Sequence, residues 1–537
     1  MKLSSLPSSP LFIHALLPLF IVLSAFGAGY QTITVFAILY YPLSVYYVRN
    51  CKRWWWIFLF YMMNSIGFLL AYLESFNLGA KMAKVYAGVI YGMGLLIGFA
   101  LLISYIFDRI AQHRLSSDGW ARVMVFPCIW TGMSTILLFA NPLGDIVDYA
   151  FTFLNYDEIM QFTSFAGLGG INFMLAWWGT VGCDLISHRN SKPSTIDIRS
   201  STEDNNSDII LKMPPTHPTR KLSTLPTFIN SFSIYLFVLF LVLSYGSIRL
   251  STNYVPFYQQ KIENTFPEEL INVGCVLRQE NILEVNYYVE LTRELAASGN
   301  KIILWSEGLS DISSAENLTL LYNSIQNIST SYGAIIGFTY IDYTTQNSYN
   351  KQVVFDNKGA MVVNYNKTHL VPVLENDFVK GDNKLQTFQS EVFGNVGAAI
   401  CYDFNFPILI GQASSKNVNL MLDSGNTWGI VAVPKARINI IRSIENGFAT
   451  FRCYSYGISG VWNQFGQPLH YAPTVNTPKT SFQVPISMLK NRVKTVYSVF
   501  GETLGWICVG SIGVITILLV VMEIGGQKLR DKINNWT

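Results

Sequence analysis

Charge is what this chain has least of. Only 13% of its 537 residues are Asp, Glu, Lys or Arg, against roughly 25% in an average soluble domain. The net charge of +3 offers no field for nucleic acid, and no basic cluster with interleaved aromatics occurs. CxxC spacing is absent too. The cysteines at 51, 128, 183, 275, 401, 453 and 508 are scattered, which argues against a zinc site and against a disulfide framework. The six histidines are equally dispersed, so neither a metal nor another cofactor is expected.

Apolar residues are abundant, at 50% of the chain. A bilayer crossing needs about 20 of them in a row. Such windows fall near 11–29, 32–48, 54–73, 85–107, 121–140, 161–186, 227–247 and 504–524, which predicts a polytopic helical membrane domain of about eight spans. The first window, with Lys2 before it and "AFGAG" at its end, also fits a cleaved signal peptide. Cleavage would not alter the orientation of the rest.

Lys and Arg in the connecting segments set that orientation. With the N-terminus inside, the inner segments hold Lys2, the Arg49–Lys52–Arg53 group, Arg109, Arg114 and Arg122. They also hold the basic residues between Arg189 and Lys221, and Lys528, Arg530 and Lys532 in the tail. The short outer loops hold only Lys81 and Lys84. The expected plan is therefore six spans in 1–187, a disordered cytoplasmic loop over 188–226, a seventh span over 227–249, a soluble domain over 250–500 on the non-cytoplasmic face, and an eighth span with a cytoplasmic tail over 501–537. Asn317, Asn327 and Asn366 head N-x-S/T sequons in the soluble part, too few to establish a secretory lumen.

The soluble segment alternates strand and helix patterns. "INVGCVL", "KIILW", "GAIIGFTYI", "QVVFD", "AMVVNY", "VGAAICY" and "VNLMLD" read as strands. "ILEVNYYVELTRELAAS", "SAENLTLLYNSIQNI" and the stretch from Val433 to Arg452 read as helices. Hairpins mixed with crossovers predict a layered α/β sandwich. Cys275 and Cys453 fall in a strand and a helix and read as core.

Three reactive residues end apolar strands: Glu307 in "KIILWSEG", Lys367 after "AMVVNYN" and Cys401 in "VGAAICYD". A carboxylate, an ammonium and a thiol together can perform acyl transfer. The acid takes the thiol proton, sulfur attacks a carbonyl, and the cation stabilises the oxyanion. Taken singly, each has an ordinary reading as a turn acid, a surface lysine or a core thiol.

Their order and surroundings resemble the nitrilase (carbon–nitrogen hydrolase) superfamily, whose Glu-Lys-Cys triad stands on strand ends. "WSEG", "DNKGAMVVNYNKTHLVP", "GAAICYDFNFP" and "RSIENGFATFRCYSYGISGVWNQFGQ" carry the resemblance over about 220 residues. It implies an αββα sandwich, with Glu307 as general base and acid, Lys367 stabilising the oxyanion and Cys401 as nucleophile. The Tyr402 amide is expected in the oxyanion hole, with Asp403 beside it where the family more often has glutamate. The spans, with "KTHLVPVLE", are similar to the apolipoprotein N-acyltransferase branch, in which a glutamate eight residues past the lysine supports the triad. Here that residue is Glu375.

That branch implies a phospholipid acyl donor, a Cys401 thioester and an amine acceptor on the N-terminal lipidated cysteine of a lipoprotein, handled by a membrane-embedded monomer. On this reading Cys401→Ala, Glu307→Gln and Lys367→Ala each abolish turnover without loss of folding. Two features depart from the pattern. Ser306 replaces the usual proline and is expected to loosen the turn, and the arm from Pro372 to Val392 is short, which leaves the acceptor open. The alternatives are a membrane-tethered amidase using the same triad, and an inactive nitrilase-like binding module on a transporter or receptor. Transport would call for ionisable residues within the spans, which contain very few, Asp184 lying near an end.

Overall fold

The computed structural model describes residues 13–29, 32–73, 80–115, 120–190, 224–262, 271–279, 282, 284–474, 481–486 and 492–525. The expected loop 188–226 lies almost wholly outside them, as do Lys2, Lys528, Arg530 and Lys532.

Helices occupy all eight expected windows: α1 (Leu17–Gly27), α2 (Thr34–Asn50), α3 (Trp54–Leu73), α4 (Ala80–Arg114), α5 (Trp120–Ala140), α6 (Thr163–Asn190), α7 (Thr224–Ile262) and, at the far end of the chain, Thr503–Ile524. Within them, five segments are long and apolar enough to cross a membrane: Trp54–Leu73, Lys84–Arg114, Trp120–Ala140, Ser231–Ser251 and Thr503–Ile524. The other three windows fall short for visible reasons. α1 has 11 residues, α2 has 17 with Pro42 inside, and α6, which breaks at Gly167 where φ is 65°, carries Asn172 and Asp184 in the stretch beyond the break. At that break a buried carboxylate, Glu502, accepts the Gly169 N–H at 2.6 Å. It takes up a donor that a new helix start leaves unpaired. At the other end of the bundle, Arg49 bridges Asp108 at 2.8 Å and Asp184 at 3.0 Å, tying α2, α4 and α6 together.

The remainder is a two-sheet sandwich. One sheet runs β13 (Ser481–Ile486), β1 (Ile271–Val276), β2 (Ile302–Trp305), β4 (Ile335–Asp342), β5 (Tyr349–Phe355), β6 (Met361–Asn366), with β3 (Asp311–Ile312) on β4. The other runs β12 (Pro468–Pro473), β11 (Ile458–Trp462), β10 (Ala449–Ser455), β9 (Leu420–Asn426), β8 (Gly394–Ile400), β7 (Gln386–Ser390). Val273, Leu304, Val354 and Val363 of the first meet Val396, Ile400, Leu422 and Phe451 of the second in one core. Every residue of β4 is buried, as a strand covered on both faces requires.

The outer face of the first sheet is covered by α8 (Val285–Ala297) and α9 (Ala315–Tyr332). α9 starts on the Ser314 hydroxyl, which accepts the Asn317 N–H, and stops at left-handed Gly333. The second sheet is flanked by the 407–415 turns and by α10 (Ala432–Asn446). Ile438, Ile441 and Ile444 of α10 belong to the core of the helical region. One helix therefore serves both halves of the protein.

Three expectations need correction. The helix expected from Val433 to Arg452 ends at Gly447 (φ 71°), and the chain re-enters a sheet at Ala449. Cys453 is thus on a strand, and it is bonded to Cys275 across the two sheets. A pair 178 residues apart leaves no trace in cysteine spacing. Ser306 does not loosen its turn. It is fully buried, its N–H donates to Val276 O at 2.9 Å, and its hydroxyl accepts the Arg278 N–H and meets Ser455 Oγ at 2.7 Å. A proline could make none of these bonds.

Candidate active site

Each of the three reactive residues follows a core strand: Glu307 two residues after β2, Lys367 directly after β6, and Cys401 directly after β8. The strands place their ends at one mouth of the sandwich, and the residues converge there. Cys401 has φ 49°, left-handed backbone in a non-glycine residue at the turn into a short 3₁₀ segment (Cys401–Asn405). Such strain is sparsely populated, and it turns the side chain out of the strand's run.

The Lys367 ammonium lies 2.6 Å from Glu307 Oε1 and 2.9 and 2.8 Å from the two Glu375 oxygens. Asn350 Nδ2 bridges the same two carboxylates at 2.9 and 3.0 Å. The other oxygen of each carboxylate takes a backbone N–H: Asn426 donates to Glu307 Oε2 at 3.0 Å and Val371 donates to Glu375 Oε2 at 2.7 Å. The Cys401 thiol lies 3.6 Å from the carbonyl of that same Asn426. Residue 426 thus holds the acid with one backbone group and the thiol with the other.

Electrostatics differ sharply among these groups. Burial opposes charge on Lys367, but Glu307 and Glu375 outweigh it and hold the ammonium well above its ordinary pKa. Burial and the Glu307 carboxylate push the Cys401 thiol up to about 12, against the pull of Lys435 and Lys367. Cys401 therefore rests as a thiol, and forming its thiolate calls for a base beside it.

Glu375 contacts Lys367, Asn350 and the Val371 N–H in this cluster. Asp403 is a brace: it accepts from Tyr365 Oη, the His369 N–H and the Ile400 N–H at 2.8, 2.8 and 3.2 Å, tying the Cys401 turn to the Lys367 strand end. The Tyr402 side chain points the other way and donates to Pro142 O in the helical region at 3.1 Å. Sequence reasoning missed Asn350, Asn426, Lys435 and Arg278. Only Lys435 left a signal, as one of two cations, with Arg437, in the otherwise mostly apolar run "VAVPKARINII".

A cavity of about 900 Å³ joins these groups to two kinds of wall. The helical region contributes Tyr72, Tyr86, Val89, Ile90, Leu143 and Ile146, and the 371–378 arm contributes Val371, Leu374 and Phe378. Arg278, Asp311, Tyr343 and Tyr456 make a more polar wall. Tyr86 Oη donates to Pro372 O at 2.7 Å, which fastens the arm to α4.

Comparison with known proteins gives this geometry a context. The carbon–nitrogen hydrolase family model matches residues 285–478. The chain is 38% identical to mouse deaminated glutathione amidase over 95 residues, 16% of this chain and 29% of that one. It is 29% identical to the Dictyostelium discoideum deaminated glutathione amidase over 145 residues, 23% of this chain and 50% of the relative. It is also 24% identical to the apolipoprotein N-acyltransferase of Borreliella burgdorferi over 155 residues, 28% of this chain and 29% of that protein. The chain thus spans half the length of the slime-mould relative it matches, and under a third of the other two. Among solved structures, an amidase from Nesterenkonia sp. matches at 17% identity and TM-score 0.36, covering 40% of this chain and 90% of its own. The stretch that resembles carbon–nitrogen hydrolases, residues 285–478, is joined here to a bundle of apolar helices.

Proposed function

We propose that the protein is a membrane N-acyltransferase, with Glu307, Lys367 and Cys401 as its catalytic triad. The cavity carries this reading. One wall beside the triad is built from the apolar helical region, a surface suited to an acyl chain and unnecessary for a small amide.

In the first half-reaction Cys401 gives its proton to Glu307 as sulfur bonds to the ester carbonyl of a phospholipid. The C–O bond then breaks, and the leaving lysophospholipid oxygen takes that proton back. In the second, an amine, we infer on a lipoprotein N-terminus, attacks the thioester, and its proton returns through Glu307 to the sulfur. Lys367, locked to Glu307 and Glu375, keeps the base oriented, and Glu375 supports it. The Cys275–Cys453 bond between the sheets supports a catalytic domain outside the cytosol, where disulfides persist.

A tethered amidase is the second reading, favoured by the 38% identity to an amidase over 95 residues. One experiment separates the two. Detergent-purified protein is incubated with phospholipid and no amine, and its intact mass is read. An acyl-sized increment on Cys401, labile to hydroxylamine and missing in Cys401→Ala, is the expected result. No increment across lipids of several head groups, with turnover of small amides, replaces the transferase with the amidase.

A further inference from the structure

Lys367 has a problem as the cation of an oxyanion site. An ammonium has three N–H groups, and the three carboxylate contacts from Glu307 and Glu375 occupy them. The cluster of one lysine and two glutamates is also net negative. When Glu307 takes the Cys401 proton, Glu375 still offsets Lys367, and the new thiolate gains no net positive neighbour from the triad.

A second lysine lies in the same cavity. Lys435, on the first turn of α10, is 5% exposed and lines the pocket with Cys401. Its Nζ donates to Asn405 Oδ1 at 3.0 Å and stands 5.0 Å from the centre of the Tyr402 ring. Asn405 is held in turn by Asp145 of the helical region, Nδ2 to Oδ1 at 2.7 Å. Among the described residues no carboxylate lies within ion-pair distance of Lys435. The neighbouring Asp423 is committed to Arg452 at 2.8 Å. A buried ammonium with one amide acceptor and an aromatic face is incompletely compensated, which is costly unless a negative charge forms beside it.

We propose that Lys435 is the second cation of the site, facing the negative charge that forms on Cys401 sulfur and passes to the substrate's oxyanion. The inference rests on Cys401 being the nucleophile. Its division of labour follows from the contacts: Lys367 orients the base, and Lys435 supplies the positive field for the thiolate. The ranking of influences on Cys401 agrees, since Lys435 draws the thiol down more than Lys367 does. Burial pulls the Lys435 ammonium below its ordinary pKa, Lys367 and Arg452 add to that, and Cys401 and Asp423 act the other way, so negative charge forming on the sulfur is what favours its charged form.

The test needs no identified substrate. Iodoacetamide alkylation of Cys401 is followed by peptide mapping from pH 7 to 10 in the full chain, with Lys435→Met, Lys435→Gln and Lys435→Arg beside the wild type. Loss of the cation is expected to slow alkylation several-fold, up to about tenfold per unit of thiol pKa, with Lys435→Arg restoring most of the rate. Glutamine preserves the hydrogen bond to Asn405 without the charge, so it reads the electrostatic effect even where methionine unfolds. Equal rates in wild type and Lys435→Gln at every pH, in folded protein, overturn the proposal. A wild-type Cys401 that resists alkylation throughout, while other thiols react, overturns the nucleophile reading and this inference with it.

Discussion

Replacing Lys367 with methionine removes the one cation between two buried carboxylates. Lys367 is 1% exposed and its partners Glu307 and Glu375 are 8% and 12% exposed at their side chains, with N–O separations of 2.6 and 2.8 Å. Breaking a buried pair by deleting one partner costs about 3–5 kcal/mol, because the remaining charge is left uncompensated. Here two charges remain, and Asn350 bridges them with a single NH₂. The expectation that a Lys367 variant keeps its fold is therefore revised to a large loss of stability.

The loss has a definite pH dependence. Without the lysine, burial and mutual repulsion raise the carboxylate pKa values in the folded variant above their unfolded values. Protons bound only in the folded state make stability fall as pH rises through those values. The penalty in Lys367→Met is expected near its full size at pH 8 and to shrink by pH 5, where one carboxyl is protonated. Thermal unfolding in detergent at the two pH values measures this, and Lys367→Met/Glu375→Gln should recover about half the loss. An equal penalty at pH 5 and pH 8, or no recovery in the double variant, would refute the electrostatic account.

Two further predictions concern the frame around the site. Non-reducing peptide mapping should recover Cys275 linked to Cys453, and Cys275→Ser/Cys453→Ser should lose about 2–5 kcal/mol of stability; free alkylation of both thiols in unreduced native protein would remove the link and its support for an oxidising compartment. Burial raises the Glu502 carboxyl to about 8, against the Gly169 N–H and Arg442. A folded pKa above the unfolded value of about 4.3 means stability is lost as pH rises through 8. Glu502→Gln should therefore unfold at a higher temperature than the wild type at pH 9 and show little gain at pH 5, and a gain that does not grow with pH would sink this assignment.

Much of this protein is written locally. The apolar windows needed only their length, and the strands and helices of the sandwich needed only period and turn residues. Glu307, Lys367 and Cys401 could be singled out because each sits in a short motif at the end of an apolar strand, and Glu375 only through the resemblance carried by "KTHLVPVLE". What failed was long-range. The polar residues Lys435, Asn439, Arg442 and Asn446 recur along one side of α10 as a solvent face would, yet all are buried.

The reason is physical. Arg442 bonds Asp145 at 2.7 Å from nearly 300 residues away in sequence, and Lys435 reaches Asn405 on the far side of a turn. Whether a polar stripe meets water or another layer depends on what packs against it, and no local pattern records that. The sequence by itself determined most of the element types and the order in which Glu307, Lys367 and Cys401 end their strands. Only the tertiary structure decided that Lys367 is spent on two glutamates, that Cys275 meets Cys453, and that an apolar wall and a second lysine share the cavity with Cys401.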